Sequence, residues 1–386
     1  METYDAVVIG GGVIGTSIAY RLAETRHVLL VEKTDIGAQT SGACDKAIFL
    51  QSKKPGFPIK LAKASRQIYE NLEEELETSI EFHKGGGMIV IEDEDHIEFM
   101  ESFVKKQQKA GIDVTLLDSK EARSIQPSLA EYIVGATYSK EDAEVNPLKL
   151  SQAFAQAAKR RGVDIRTHTE VIDIDIQNGK VVGVKTTSGY IATELVVNAG
   201  GPFAGKIAEM AGVGLTIMPR RGVILISEKI NPMIFGNILC SQYIAAKHQT
   251  DEENKKKPPY GIGLSLGQTK SGNLLIGGSR EFKGFQKAIN DEILAAIARH
   301  ATRIAPAIKP IRIIRSMVGF RPYTGDGLPI IDKVEGVEGF VIAAGHEGDG
   351  IALAPITGKL VVSLVENRKE DQSLLKPLQF KRLKAV

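Results

Sequence analysis

The chain contains no tryptophan, only two cysteines and 6% aromatic residues in a length of 386. Cys44 and Cys240 lie far apart, so they form neither a disulfide framework nor the paired spacing of a metal site. Each is most simply read as a small apolar core residue. No apolar run reaches the roughly 18 residues that a membrane-crossing helix needs, so no transmembrane segment is expected. Charge of one sign is also missing: 49 basic against 47 acidic side chains leave +2. That balance gives no electrostatic case for nucleic acid or an anionic membrane. His83, His168 and His248 have no partner spacing that suggests a metal or a nucleophile, and no metal is expected. Met1-Glu2-Thr3 runs straight into a strand-like segment, so a cytoplasmic protein without a signal peptide is expected. There are no internal repeats and no low-complexity tracts.

What is present is an ordinary globular balance, 43% hydrophobic and 25% charged, with 39 glycines. At roughly 150 residues per domain, the length suggests two or three domains. The glycines begin to matter at once. Residues 4–9 form a short apolar run with β-branched Val7, Val8 and Ile9, which reads as a buried parallel strand. Gly10-Gly11-Gly12-Val13-Ile14-Gly15 follows, then helical spacing over 16–23, then a second apolar run over 28–31 ending at Glu32 and Lys33. This order of strand, glycine turn, helix, strand and acid is the dinucleotide-binding pattern. Gly10 makes the tight turn, Gly12 lets a pyrophosphate approach the backbone, and Gly15 lets helix and strand pack closely. The helix N-terminus offers free N–H groups and a positive dipole end to phosphate. A carboxylate at Glu32 suits ribose hydroxyls and disfavours the extra phosphate of NADP. The pattern leaves NAD and FAD both open.

Further along, 36–43 is a loop of small residues, 59–77 a charged helix, and 88–91 a strand after Gly85-Gly86-Gly87. A helix over 94–110 and strands near 114–116 and 134–138 read as a separate unit. Asn146-Pro147 opens a helix to Arg161, followed by a strand at 163–167. Alternating runs at 171–176 and 181–186, joined by Asn178-Gly179, read as a hairpin. A buried strand at 195–197 leads into Asn198-Ala199-Gly200-Gly201-Pro202. Residues 222–314 read as long antiparallel strands plus one helix at 289–304, interrupted by the charged stretch 247–259. A strand at 340–344 and an apolar helix at 351–365 close the chain. Between them lies Gly345-His346-Glu347-Gly348-Asp349-Gly350, a second glycine-lined helix start that suits the anionic pyrimidine end of a reduced flavin.

With these blocks the chain resembles the glycine/D-amino acid oxidase family of FAD-dependent amine oxidoreductases, across nearly its whole length. The resemblance rests on residues 5–15, on Val197-Asn198-Ala199-Gly200, on residues 319–331 (Gly-Phe-Arg-Pro-Tyr-Thr-Gly-Asp-Gly-Leu-Pro-Ile-Ile) and on residues 345–355. It is nearest to the β subunits of heteromeric sarcosine, opine, proline or hydroxyproline dehydrogenases. It implies an α/β fold: a discontinuous Rossmann-like FAD-binding domain with a small β-meander (1–85, 146–218 and 323–386) and an inserted antiparallel-sheet substrate domain with helices (86–145 and 219–322). It also implies positions for FAD. Gly10, Gly12, Val13, Ile14, Gly15, Glu32 and Lys33 would hold pyrophosphate and adenosine, with Val171 at the adenine. Thr40, Ser41 and Gly42 would sit toward the flavin, and Lys46 near the ring or at the surface. Ala199, Gly200, His346, Gly348, Asp349, Gly350 and Ile351 would line the flavin. Arg321 would clamp a substrate carboxylate, the alternative being a structural ion pair.

Departures from the family pattern carry expectations too. Gly319 stands where covalent members carry the tethering cysteine, which implies non-covalent FAD. Asn273, Leu274, Leu275 and Ile276 occupy the strand where oxidases place an oxygen-activating lysine, which favours a dehydrogenase that passes electrons to a partner. Gly348 replaces a second arginine of glycine oxidase and leaves more room. Tyr243 and Tyr260 bracket the charged stretch as candidates for pocket contacts, or as half-buried strand residues. The stretch itself, with Lys255-Lys256-Lys257, is either a docking segment for a partner subunit or a solvated loop. The expected activity is oxidation of a C–N bond in a small amino or N-substituted amino acid, with the hydride passing from carbon to flavin N5. A stand-alone oxidase, a flavin relay subunit and an NAD-dependent dehydrogenase are the alternatives.

Overall fold

The computed structural model describes residues 2–248 and 259–385. Most of the charged stretch 247–259, including Lys255-Lys256-Lys257, lies outside the described residues. The apolar runs become strands because Val, Ile and Leu side chains fill both faces of a covered sheet. Ala6–Ile9, Val28–Val31 and Val196–Asn198 are buried at every position. They form the centre of a six-stranded sheet in the order Ile330–Lys333, Phe340–Ala344, Val196–Asn198, Ala6–Ile9, Val28–Val31, Asp164–Arg166. All neighbours are parallel except the first pair. The fold is thus α/β with a Rossmann-like sheet.

The helices Val13–Leu22, Pro147–Arg160 and Gly350–Val365 cover one face of this sheet, with Ile18, Leu30, Phe154 and Leu360 in a common core. The Ser17 hydroxyl donates to the Ala354 carbonyl at 2.8 Å, tying the first helix to the last. The other face is covered by a meander of Val171–Gln177, Lys180–Thr186 and Gly189–Ala192. Its first turn has positive φ at both Asn178 (52°) and Gly179 (76°), the geometry that a tight hairpin demands.

The second large element is an eight-stranded sheet, ordered Ile313–Tyr323, Met218–Lys229, Asn273–Gly277, Ser265–Gln268, Asn237–Cys240, Gly87–Ile91, Gly135–Ser139, Thr115–Asp118. Every pairing is antiparallel except Asn237–Cys240 with Gly87–Ile91. The stretch 94–138 is therefore not a unit of its own, since its strands complete a sheet begun by residues more than a hundred positions away. The helix expected over 59–77 is divided: Phe57–Tyr69 stops before Asn71, and a short Leu72–Glu75 turn follows. Ala204–Met210 and Ser241–His248 are helices that the sequence pattern did not reveal, since each spans barely two turns of apolar period. Among the described residues, no helix is long and apolar enough to cross a membrane.

Candidate active site

A cavity of about 300 Å³ runs along the carboxyl ends of the parallel strands, where α/β sheets place their ligands. At one end, the turn after Ala6–Ile9 brings Gly10, Gly12, Val13 and Ile14 to its wall. Gly10 has φ of 115°, and a Cβ there would stand 2.5 Å from the Ala199 carbonyl oxygen. Gly15 stands behind the wall, where a Cβ would fall 1.9 Å from the Gly10 oxygen. Glu32 lines the cavity and also fastens this turn. One carboxylate oxygen accepts from the Gly11 N–H at 2.6 Å, the other from the Thr34 N–H and hydroxyl at 2.8 Å. Lys33 lies over the Phe203 ring at 3.7 Å, and both line the cavity, as do Val171, Ala199 and Gly200.

Thr40 and Ser41 line the middle of the cavity. The Ser41 hydroxyl accepts from the Val13 N–H at 3.0 Å, and the Thr40 hydroxyl donates to the Phe320 carbonyl at 2.7 Å. The second contact joins the small-residue loop to the strand that carries Arg321. Gly42 is packed behind, with a Cβ position 2.4 Å from the Gly37 oxygen. Cys44, read from sequence as a core residue, is only partly buried and lines the cavity. Its thiol donates to the Ser41 carbonyl, and burial pushes its pKa up, so it stays protonated.

At the far end the wall is made by His346, Gly348, Gly350 and Ile351, with the N-terminus of helix Gly350–Val365 opening on the cavity. His346 is 3% exposed, and burial pulls its pKa down to about 3, so the ring is neutral. The Thr357 hydroxyl donates to Leu353 and meets His346 Nε2 at 2.9 Å, which assigns the imidazole proton to Nε2. Arg321 arrives from the paired strands Met218–Lys229 and Ile313–Tyr323, whose register sets Gly222 opposite Gly319. Its guanidinium lies where a Gly222 side chain would be, Nη1 standing 2.3 Å from that Cβ position. Its hydrogen bond is to the Ser279 carbonyl at 3.2 Å, and no carboxylate pairs with it among the described residues. Burial, and then the charge of Arg280, hold its pKa below the usual arginine value.

Two further arginines stand close by. Arg220 pairs with Glu347, and burial together with Arg280 and Arg321 brings its pKa down to about 9. Arg280 covers the ring of Tyr243 at 3.7 Å, and Tyr243 lines the cavity. The sequence reading missed Asp45, Gly222, Phe203 and Arg280, none of which belongs to a motif.

Besides Gly15 and Gly42, which stand behind it, three expected site residues lie off the cavity wall. Lys46 is neither at the surface nor in the cavity: it is 6% exposed, and its ammonium pairs with Glu144 at 2.5 Å and donates to the Gln268 carbonyl. Asp349 occupies the N-cap position of the helix Gly350–Val365, and its carboxylate pairs with Lys53 at 2.5 Å rather than with the helix N–H groups. Tyr260 donates to Glu292 beside a separate depression shared with His300 and Arg303. Near that depression Glu92, Cys240 and His300 also come together. The Glu92 carboxylate is already taken by His300 at 3.0 Å and Arg303 at 2.5 Å, so it serves an ion-paired network.

The family model "FAD dependent oxidoreductase" matches residues 5–364. The chain belongs to this family. It is 31% identical over 391 residues to glycine oxidase of Geobacillus kaustophilus, covering 98% of this chain and 97% of that one. It is 27% identical to hydrogen cyanide synthase subunit HcnC of Pseudomonas aeruginosa, covering 94% and 93%. Among solved structures, L-proline dehydrogenase from P. horikoshii superposes with a TM-score of 0.87 at 28% identity over 99% of this chain and 98% of that one. The protein is thus an FAD-dependent oxidoreductase. The residues present fit FAD: a cavity closed to side chains at Gly10 and Gly15, an acid at the end of the second strand, and two helix N-termini opening on one long space.

For this flavoenzyme the tethering chemistry can be tested. A covalent link through cysteine needs a thiolate, and Cys44, the cysteine on the cavity wall, is held as the neutral thiol. Acid precipitation is expected to release all of the flavin into the supernatant, measured by its fluorescence. Flavin retained in the washed pellet would show a covalent bond.

Proposed function

We propose that this oxidoreductase oxidises a C–N bond of a small amino or N-substituted amino acid, the candidates being sarcosine, proline or hydroxyproline, an opine and a D-amino acid. The observation that carries the reading is Arg321. A planar guanidinium fork without a carboxylate partner among the described residues stands in the same cavity as the glycine-lined helix start. In this reading Arg321 accepts the substrate carboxylate and fixes the direction of the Cα–H bond. Gly10, Gly12, Val13 and Ile14, backed by Gly15, cradle the pyrophosphate, while Glu32, Lys33 and Val171 surround the adenosine. Thr40 and Ser41, with Gly42 behind them, hold the loop between pyrophosphate and ring. Ala199, Gly200, His346, Gly348, Gly350 and Ile351 surround the ring, and Asp349 fixes the helix start through Lys53. Bound FAD supplies a two-electron acceptor for the hydride. The chain's own part is to bind, orient and dry the reacting carbon.

The strand Asn273–Gly277, which carries Leu274, Leu275 and Ile276 and no lysine, supports a dehydrogenase that serves as the catalytic subunit of a complex. Full-length likeness to glycine oxidase supports the second reading, a stand-alone oxidase that makes hydrogen peroxide. Anaerobic titration with the candidate amines, followed by air, tests both. Bleaching of the flavin band by one class supports the amine reading, and slow return of colour in air supports the dehydrogenase. Absence of bleaching with every carboxylate-bearing amine would overturn the reading in favour of a relay subunit.

Gly222 offers an independent check. An alanine there would collide with the mobile end of Arg321 rather than with backbone, so the fold and flavin survive while the fork is displaced. A displacement of about 1 Å in a positioning group costs on the order of 10²-fold. Gly222→Ala is therefore expected to keep its flavin spectrum and thermal stability while losing roughly that factor in kcat/KM. Unchanged kinetics would separate Arg321 from the substrate.

A further inference from the structure

Four carboxylates line the cavity: Glu32, Asp45, Glu170 and Glu347. Glu32 is committed to the glycine turn, Glu347 to Arg220, and Glu170 is exposed beside Val171 at the adenosine end. Asp45 differs. It is half-buried, follows the Thr40–Ala43 turn, and accepts from the Ser265 hydroxyl at 2.8 Å and the Ala47 N–H at 3.3 Å. No cation pairs with it among the described residues, because neighbouring Lys46 is turned to Glu144. Arg321, in the same end of the cavity, is likewise without an ionic partner. The loop that leads to Asp45 packs on the strand that carries Arg321, with the Ala43 carbonyl 2.7 Å from the Cβ position of Gly319 and the Thr40 hydroxyl bonded to the Phe320 carbonyl, yet Asp45 and Arg321 do not bond to each other. One cavity end therefore presents a cationic fork and a carboxylate, carried by the strand Ile313–Tyr323 and by the small-residue loop.

Resting on the amino-acid reading of the site, we propose that Asp45 receives the ammonium group of the substrate while Arg321 holds its carboxylate. The site then selects zwitterions, with a protonated primary or secondary amine, over carboxylates or phosphates of equal size. Ser265 keeps the carboxylate of Asp45 in place for that contact. Of the titratable groups around Asp45, the Cys44 thiol is neutral and Lys46 is bound to Glu144, so neither competes for it. Arg321 is the cation whose charge reaches Asp45, and in this reading it is taken by the substrate carboxylate. Without Asp45, this arginine-rich end would repel the amine.

The test uses the FAD-loaded full chain and isosteric pairs of ligands in which an ether oxygen replaces N–H. These are sarcosine with methoxyacetate and proline with tetrahydrofuran-2-carboxylate. Affinity for the ether acids is read by calorimetry, and for the amines from the concentration dependence of anaerobic flavin bleaching. The wild type is expected to bind one of the amines at least roughly tenfold more tightly than its ether at neutral pH. That preference should fade above about pH 10, where the ammonium loses its proton. In Asp45→Asn the amine should weaken by about tenfold, the ether should stay within about twofold, and the fading with pH should vanish. Arg321→Met should weaken both members of each pair.

Equal affinity of the wild type for amine and ether overturns the role of Asp45 while leaving the carboxylate clamp standing. Equal weakening of both ligands in Asp45→Asn overturns it too, as does no change in either. Failure of the wild type to bind any of the four overturns sarcosine and proline as substrates and this inference with them, while the amino-acid reading falls only if no carboxylate-bearing amine bleaches the flavin. The wild-type comparison needs no variant, so it decides even where Asp45→Asn loses its flavin.

Discussion

Arg321→Met is expected to lower kcat/KM for carboxylate-bearing amines by about 10²–10³-fold. Removing one partner of a desolvated, hydrogen-bonded charge pair costs about 2–5 kcal/mol, and each 1.4 kcal/mol is a factor of ten. Arg321 belongs to this class because its fork is planar, its site is half-buried, and the positive charge of neighbouring Arg280 favours an anion there. The effect should fall mainly on KM, since a carboxylate that keeps its charge throughout is bound equally in ground and transition states. A fall in kcat as well would report loss of Cα–H orientation. Flavin content should be unchanged, because among the described residues the only hydrogen bond lost is that to the Ser279 carbonyl. An activity within about twofold of wild type would remove Arg321 from the substrate site.

Gly15→Ala is expected to yield a colourless, destabilised protein. The added Cβ would meet the Gly10 carbonyl oxygen at 1.9 Å, its carbon at 3.1 Å and the Ala199 Cβ at 3.3 Å. Backbone cannot yield as a side-chain end can, so the helix Val13–Leu22 must move off the strand Ala6–Ile9 and the Gly10 turn that follows it. Overpacking of this kind costs about 1–3 kcal/mol, and it also spoils the aim of the N–H groups at the helix start. Gly12→Ala is the control. Its Cβ would meet only the Ser41 hydroxyl, at 3.2 Å. The flavin-free form of Gly12→Ala should therefore melt near the wild-type apoprotein, whereas flavin-free Gly15→Ala should melt several degrees lower. Equal melting temperatures for the two apoproteins would show that Gly15 is not needed for helix–strand packing.

Much of the site was legible because its parts are local. The turn from Gly10 to Gly15, the acid at Glu32 and the glycines around His346 each lie within a few residues of a strand end, where chain direction alone decides what a backbone N–H can face. Lys46 and Tyr260 show the limit of that reasoning. Proximity in sequence to the flavin loop put Lys46 on the list, but its long ammonium side chain follows a half-buried carboxylate, Glu144, 98 positions away. Tyr260 flanks the charged stretch beside Tyr243, yet a positive φ of 58° and a bond to Glu292 belong to a different depression.

By itself, then, the amino-acid sequence determined the α/β class, the dinucleotide turn, the two glycine-lined helix starts and the family, because each is written in short-range order. Only the tertiary structure decided which side chains share the substrate end. Arg321 reaches it over the space left by Gly222 through strand register, Arg280 through the segment just beyond the strand Asn273–Gly277, and Asp45 through a loop that begins almost three hundred residues earlier. Non-local pairing sets these meetings, and no window of sequence contains both partners.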